Sequence, residues 1–346
     1  MASTVLKVSG VAKSFGGVRA LKGVDLEIGS GEIHCLAGEN GSGKSTLIKV
    51  ISGVHEPDAG WIELGGKRFT RLSPIEAISH GVQVIYQDFS VFPNLSVMEN
   101  LALNMELMDK RILMNYGRAR SIAERAVSQI GFDIDLDERV ENLSVADRQL
   151  IAICRALLQD SKLIIMDEPT SALTKKEVKA LFSVIKDLQS RGISTLFVSH
   201  KLDEVFEISE RYTILRSGEN VAAGSTKELD RDTFAFHMTG RKFTEESYKA
   251  AVPSAAPILS VKGLSRRGFY SGIDFDLAPG EILGITGLLG SGRTELVETL
   301  FGLTRPDSGT IEIRGKPANI ASVKDAHRPG LGYVPSDRLT EGLFLP

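Results

Sequence analysis

The chain has 346 residues, 42% hydrophobic and 25% charged, with 41 lysines and arginines against 44 acidic residues for a formal charge of −3. That length suits two domains of roughly 100–200 residues each, and the near-neutral balance gives no bulk attraction to nucleic acid. The only cysteines are Cys35 and Cys154, which exclude a disulfide framework; the absence of a charged leader or of any run near ~18 apolar residues predicts a cytosolic chain that does not itself cross a membrane.

In chain order, Val5–Ser9 and Val24–Ile28 read as short, half-exposed strands. Ile33–Ala37 is a continuous apolar run, the pattern of a parallel strand covered on both faces. A helix follows over Lys44–Ser52, closed by Gly53, then a further half-exposed strand at Trp61–Leu64 and a second continuous run at Val82–Tyr86. Arg118–Ile130 is helical, with Ile122, Ala126 and Ile130 four apart and Gly131 as its stop. Leu163–Met166 and Thr195–Ser199 repeat the buried-strand pattern, and Thr213–Arg216 and Asn220–Ala222 flank the turn Ser217-Gly218-Glu219. Strands alternating with helices predict an α/β core, with a small antiparallel sheet beside it.

Sliding the chain on itself by 249 residues brings Gly31-Glu32-Ile33 onto Gly280-Glu281-Ile282, and Gly38 through Lys44 onto Gly287 through Arg293. Gly53, Pro57, Asp58, Gly60 and Ile62 then fall on Gly302, Pro306, Asp307, Gly309 and Ile311, and Gly81 and Asp88 on Gly330 and Asp337. Two copies of one fold follow from this. Residues 1–240 are expected to form a complete domain, the polar stretch 241–257 a linker, and 258–346 the first part of a second domain.

The segment Gly38-Glu39-Asn40-Gly41-Ser42-Gly43-Lys44-Ser45-Thr46 satisfies G-x-x-x-x-G-K-[ST] between an apolar strand and a helix. Its glycines let backbone amides curl around a phosphate, the helix start adds positive potential, Lys44 can bridge β- and γ-phosphates, and Ser45 can hold Mg²⁺. A nucleoside triphosphate is therefore the expected ligand. The strand Leu163–Met166 ends in Asp167 and Glu168, which places both carboxylates at the carboxyl edge of the sheet, where α/β ligands bind. Asp167 is assigned to Mg²⁺ and Glu168 to polarising the attacking water. Gln87 and His200 end two neighbouring strands and point to the same rim. His34, His55, His80, His237 and His327 belong to no motif, and the pairs Lys175-Lys176 and Arg266-Arg267 read as solvated faces.

The phosphate loop, Gln87, Leu143-Ser144-Val145-Ala146-Asp147 ahead of a helix, IIMDEPTSALT (164–174) and SHKLDEV (199–205) stand in the order that resembles an ABC ATPase. The resemblance implies a P-loop NTPase with a parallel core sheet, an antiparallel β subdomain and a helical subdomain, here from Ser96 to Asn142. It implies that Phe15 stacks on adenine, that Gln87 senses Mg²⁺ and the attacking water, that His200 contacts the γ-phosphate, and that Leu143–Asp147 closes over ATP held by an opposing domain. In this chain the last segment carries Val145, Ala146 and Asp147 where LSGGQ has Gly, Gly and Gln, and the added methyls and charge disfavour approach to phosphate.

The second loop keeps Gly287, Gly290, Ser291, Gly292 and Thr294 but has Arg293 in place of lysine, a bulkier, forked group that is no equivalent phosphate bridge. One competent and one degenerate site is the implied design. Together with GLLGSGRTEL (287–296) and the run Tyr333 to Arg338, this asymmetry resembles the ATP-binding subunits of ribose, galactose and xylose importers. Such a subunit uses ATP and Mg²⁺ at the cytoplasmic face of the plasma membrane, with two membrane-spanning permease subunits, a second ATPase chain and, indirectly, an extracytoplasmic sugar-binding protein. A nucleoside importer of the same architecture, or a soluble ABC ATPase outside transport, shares most of these features. Without a second signature, the chain alone is expected to hydrolyse ATP slowly.

Overall fold

Two glycines, Gly16 and Gly17, join the first pair of strands, β1 (Thr4–Phe15) and β2 (Val18–Gly29), in a tight antiparallel hairpin closed by the pair Phe15 and Val18. The computed structural model describes residues 3–86, 91–108, 115–131, 133–171, 173–241, 255–288, 290–335 and 342–343, which divide into two compact units, Met1–Thr244 and Glu245–Pro346. Both strands run twelve residues, well beyond the five-residue stretches that alternation marks. Register shifts between Val8 and Val11, between Val11 and Ala12, and between Lys13 and Ser14 explain the difference, because each bulge breaks the period of two.

The chain continues through β3 (Ile33–Ala37), α1 (Lys44–Ile51), β4 (Ala59–Leu64), β5 (Lys67–Phe69), α2 (Pro74–Ser79) and β6 (Val82–Ile85). Four of these strands form one antiparallel sheet in the order β2-β1-β4-β5. Helix α2 begins with a capping box in which Ser73 and Glu76 satisfy each other's backbone amides, with Pro74 at the first helical position.

Helices α3 (Val97–Met108), α4 (Tyr116–Ile130) and α5 (Val145–Leu157) come next. Asn115 caps the start of α4 and Gly131, at φ 63°, ends it. Its buried stripe of Ala119, Ile122, Ala123 and Ala126 packs with Leu101 of α3 and Ile151 and Cys154 of α5 into a helical cluster of its own.

The unit closes with β7 (Leu163–Asp167), α6 (Lys175–Ser190), β8 (Ser194–Val198), α7 (Leu202–Ile208), β9 (Arg211–Arg216), β10 (Glu219–Ser225) and α8 (Arg231–Thr239). Together with β3 and β6 these strands make a six-stranded sheet in the order β10-β9-β3-β8-β7-β6. The pairs β9-β3, β3-β8, β8-β7 and β7-β6 are parallel, and β10 pairs antiparallel to β9. The turn Ser217-Gly218 therefore joins an edge hairpin of the main sheet and is not part of the small antiparallel sheet. All five residues of β3 and of β8 are buried, which is why their sequences carry no polar alternation. Phe197 is fully buried against Phe182 of α6, with ring centroids 5.8 Å apart at 79°; burial of such a ring contributes about 2–3 kcal/mol.

The second unit contains β11 (Leu259–Arg266), β12 (Tyr270–Leu277), α9 (Arg293–Leu300), β13 (Ser308–Ile313), β14 (Lys316–Pro317) and α10 (Val323–His327). Its sheet order, β12-β11-β13-β14, repeats that of β2-β1-β4-β5. The repeat departs in two places: residues 281–287, which align with the buried run of β3, form no strand, and Ile282 is 92% exposed; residues 331–334, which align with β6, form none either, and Val334 is 92% exposed. In the first unit β3 is paired on both sides by β8 and β9, and among the described residues no strand pairs with 281–287. An apolar run without neighbouring strands has no ladder to join.

Candidate active site

Three adjacent strands of the main sheet, β3, β8 and β7, each hand their carboxyl end to a loop carrying polar side chains. From β3 comes the loop Gly38–Gly43, and Gly43, at φ 106°, starts α1 without any side-chain cap. The amides of the first turn of α1 are thus left free to point outward. A side chain at Gly43 would put its Cβ 2.7 Å from the Ala20 carbonyl oxygen and 2.9 Å from Leu21, so β2 packs directly against the turn. Gly38, Ser42 and Lys44 are buried, Glu39, Asn40, Gly41 and Ser45 are exposed, and Thr46 is half-buried.

The ammonium of Lys44 folds back into the loop and donates to the carbonyls of Gly38 at 2.6 Å and Glu39 at 3.0 Å. Burial pulls its pKa down from the ordinary lysine value, while the charges of Glu168 and Asp167 oppose that shift. The Ser42 hydroxyl is buried with no hydrogen-bond partner among the described residues. Free first-turn amides, a buried ammonium and an orphan hydroxyl around one glycine-built concavity fit a polyphosphate.

Asp167 ends β7, where burial pushes its carboxyl pKa up, the neighbouring Glu168 charge adds to the rise, and Lys44 and Ser45 oppose it. The Ser45 hydroxyl lies 3.5 Å from Asp167 Oδ2. A hydroxyl and a carboxylate facing each other at that distance are a suitable oxygen pair for Mg²⁺. Glu168 adopts φ 48°, a left-handed backbone uncommon outside glycine, and its amide donates to the Val198 carbonyl of β8 at 3.1 Å. Its Oε1 sits 3.1 Å from Nδ1 of His200, which follows β8.

The remaining residues singled out from the sequence lie as follows. Phe15 ends β1, 43% exposed, with its ring edge-on to His55 at 5.1 Å; it is a surface ring and not part of the core. Gln87 lies outside the described residues, as do Ser336, Asp337 and Arg338. The segment Leu143–Asp147 begins α5: Ser144 caps the helix by accepting from the Asp147 amide, and its hydroxyl donates to Asp147 Oδ2 at 2.7 Å. In the second unit Gly292 caps α9 at φ 83°, flanked by Gly287, Gly290, Ser291 and Thr294, and Arg293 Nη1 donates to Gly287 O at 3.0 Å. That bond parallels the one from Lys44 to Gly38, but Arg293 is exposed where Lys44 is buried.

Sequence reasoning passed over a polar knot behind Glu168 and His200. Glu204 of α7, 8% exposed, accepts from the Thr170 hydroxyl at 2.7 Å and the Ser199 hydroxyl at 2.8 Å. Lys201 Nζ pairs with its other oxygen at 3.1 Å and donates to the Thr170 carbonyl at 2.9 Å. The one signal available was an acid in the first turn of a helix directly after His200.

A family model described as ABC transporter matches residues 21–171 and 270–344. The chain is 40% identical over 343 residues to the ribose import ATP-binding protein RbsA 2 of Rubrobacter xylanophilus, covering 99% of this chain and 66% of that protein. It is 38% identical over 340 residues to the ribose import ATP-binding protein RbsA of Bacillus licheniformis, covering 98% and 69%. The chain thus spans about two thirds of the length of these relatives. Among solved structures it resembles the ADP conformation of MJ1267, an ATP-binding cassette of an ABC transporter, with a TM-score of 0.59 and 27% identity over 67% of this chain and 94% of that one. A nucleotide-free ATP-binding cassette from an ABC transporter gives a TM-score of 0.59 and 28% identity over 64% and 91%. The glycine cradle with its buried lysine, the two carboxylates on the next strand but one and the histidine between them thus sit on a matching fold and a matching sequence, and the chain belongs to the ABC transporter ATP-binding family.

Proposed function

We propose that the first unit binds ATP in the Gly38–Thr46 loop and hydrolyses it to power import of a simple sugar. The observation that carries this reading is convergence: Lys44, Asp167, Glu168 and His200 leave three neighbouring parallel strands at one edge of the sheet, with His200 and Glu168 3.1 Å apart. Lys44 and the first-turn amides of α1 bind and orient the β- and γ-phosphates. Ser45 and Asp167 would hold Mg²⁺, joined by Gln87; the ion supplies charge neutralisation on the phosphate oxygens when bound. Glu168 orients and polarises the attacking water, and His200 holds the Glu168 carboxylate while facing the γ-phosphate. Phe15, exposed at the end of its hairpin, offers a face for adenine stacking.

The relatives from Rubrobacter xylanophilus and Bacillus licheniformis are named for ribose import, which supports a sugar as cargo. The chain acts at the cytoplasmic face of the membrane with two permease subunits, a second ATPase chain and, through the permease, an extracytoplasmic binding protein. No helix among the described residues is long and apolar enough to cross a membrane. The Ser144 hydroxyl, engaged by Asp147, is poorly placed to serve a phosphate across an interface, and Arg293 leaves the second loop degenerate. Hydrolysis by the chain alone is accordingly slow. In the full chain reconstituted with its permease subunits, Glu168→Gln is expected to leave MgATP binding intact and to lower hydrolysis at least about 100-fold. Undiminished hydrolysis in that variant overturns the assignment.

A further inference from the structure

We propose that Glu204 is a positioning residue that locks the loop bearing Glu168 to the loop bearing His200. The proposal deepens the ATPase reading and rests on it. Its carboxylate is buried and accepts from the hydroxyls of two residues that are themselves 2% and 3% exposed, Thr170 and Ser199. Thr170 stands two residues after Glu168, and Ser199 immediately precedes His200. One oxygen, Oε2, therefore spans the two loops, and the other draws in Lys201, which donates to the Thr170 carbonyl as well.

A buried carboxylate is costly, and an apolar side chain of the same volume would fill the space without that cost. What the carboxylate adds is direction. It fixes three segments, 168–170, 199–201 and α7, relative to one another through bonds that tolerate little displacement. Glu168 needs such fixing, because its backbone is held at φ 48° and its side chain must meet His200 across two loops. Apart from the Glu204 knot and the contact between Glu168 and His200 themselves, the bond among the described residues that joins the loop after β7 to the strand below His200 is the Glu168 amide to the Val198 carbonyl. Glu204 touches neither Lys44 nor Ser45 among the described contacts, so nucleotide binding by the glycine loop is independent of it.

The test uses the full chain in single turnover, with enzyme in excess over MgATP. Glu204→Gln keeps size and one acceptor but gives up the charge that holds Lys201. It is expected to slow the hydrolytic step about 10- to 100-fold while leaving the dissociation constant for MgATP within about twofold, the signature of lost alignment. Combined with His200→Ala, it is expected to add no more than about a twofold further loss, because both act through the placement of Glu168. The pair Thr170→Val with Ser199→Ala, which leaves the acid in place, is expected to reproduce the loss and serves if Glu204→Gln does not fold. Amide hydrogen exchange adds a readout free of activity: residues 168–171 and 199–201 are expected to exchange faster in Glu204→Gln, with the Gly38–Lys44 loop unchanged. Unaltered exchange in both loops, an equal loss of affinity and rate, or full additivity with His200→Ala overturns the proposal. A parent chain that binds MgATP but never hydrolyses it counts against the ATPase reading alone, and the exchange measurement still decides on the lock.

Discussion

Alanine at Gly43 tests how tightly the phosphate loop is built, and the structure sets the size of the effect. Gly43 lies at φ 106°, where a side chain costs about 1–2 kcal/mol in backbone strain. Its Cβ would stand 2.7 Å from the Ala20 carbonyl oxygen and 2.9 Å from a Leu21 methyl, and relieving overlap with a backbone atom costs a further 1–3 kcal/mol or so. The total, roughly 2–5 kcal/mol, is a large part of a typical domain's 5–15 kcal/mol. It corresponds to a fall of roughly 5–15 °C in the unfolding midpoint of the first unit. Gly41 is the internal control: at φ 82° a side chain would carry comparable strain, but its Cβ would meet nothing within 4 Å among the described residues. Gly41→Ala should therefore show the strain alone, roughly 2–6 °C. Thermal unfolding followed by circular dichroism separates the two, and calorimetry with MgATP should find affinity lowered at least about tenfold in Gly43→Ala, since β2 can make room only by displacing the loop amides. Equal midpoints for the two variants would refute the claim that β2 packs against the turn.

Two further predictions concern charge. Burial, reinforced by Glu168, raises the Asp167 pKa, so the ionised carboxylate favours unfolding at every pH above its folded value, neutral pH included. Asp167→Asn should raise the nucleotide-free unfolding midpoint by roughly 2–4 °C and abolish the extra stabilisation that Mg²⁺ adds to ATP; a lower midpoint without nucleotide contradicts the reading. The second concerns His34, 1% exposed and placed between Glu32 Oε1 at 2.8 Å and Thr213 Oγ1 at 2.9 Å. Burial lowers its pKa from the usual 6.5, with Arg211 lowering it further and Glu32 opposing. The fold prefers the neutral ring, so its stability is complete above pH 6.5 and declines as the pH falls through that value, by at most about 1.4 kcal/mol per pH unit. Burial pushes the Glu32 carboxyl up, but hydrogen bonds from His34 and the Gly29 amide hold it below 4.5, so its loss falls in a more acidic window. Midpoints measured from pH 7.5 to 5.5 should show a slope in the parent that His34→Gln flattens; parallel profiles would exclude His34 as its source.

The sequence announces what is local. The nine residues from Gly38 to Thr46 contain their own turn, helix start and cation, and the runs before Lys44, Asp167 and His200 are apolar on both faces because their strands are covered on both faces. Bulges hide the true length of β1 and β2, and β5, at three residues, is too short to carry a period. The Ser73-Pro74-x-Glu76 start of α2 was passed over, because the helix is only six residues long and has no sustained apolar stripe. Least legible are long-range pairings. Glu204 meets Thr170 across 34 residues, and no spacing rule connects an acid in one short helix with a threonine in another loop. The run at 281–287 shows the converse: its composition is that of a buried strand, and composition cannot supply neighbours.

The position of β3 between β9 and β8 also governs how the chain can be made. Synthesis delivers Ile33–Ala37 early, yet both strands that flank it arrive only with residues 194–216. A nascent chain must therefore carry an unpaired, largely apolar segment, with the phosphate loop at its end, through some 160 further residues, or about 10–30 s at ordinary elongation rates. Over that interval the run has no ladder to join, and the phosphate loop is seated on a complete sheet only when β8 and β9 leave the ribosome and close around β3.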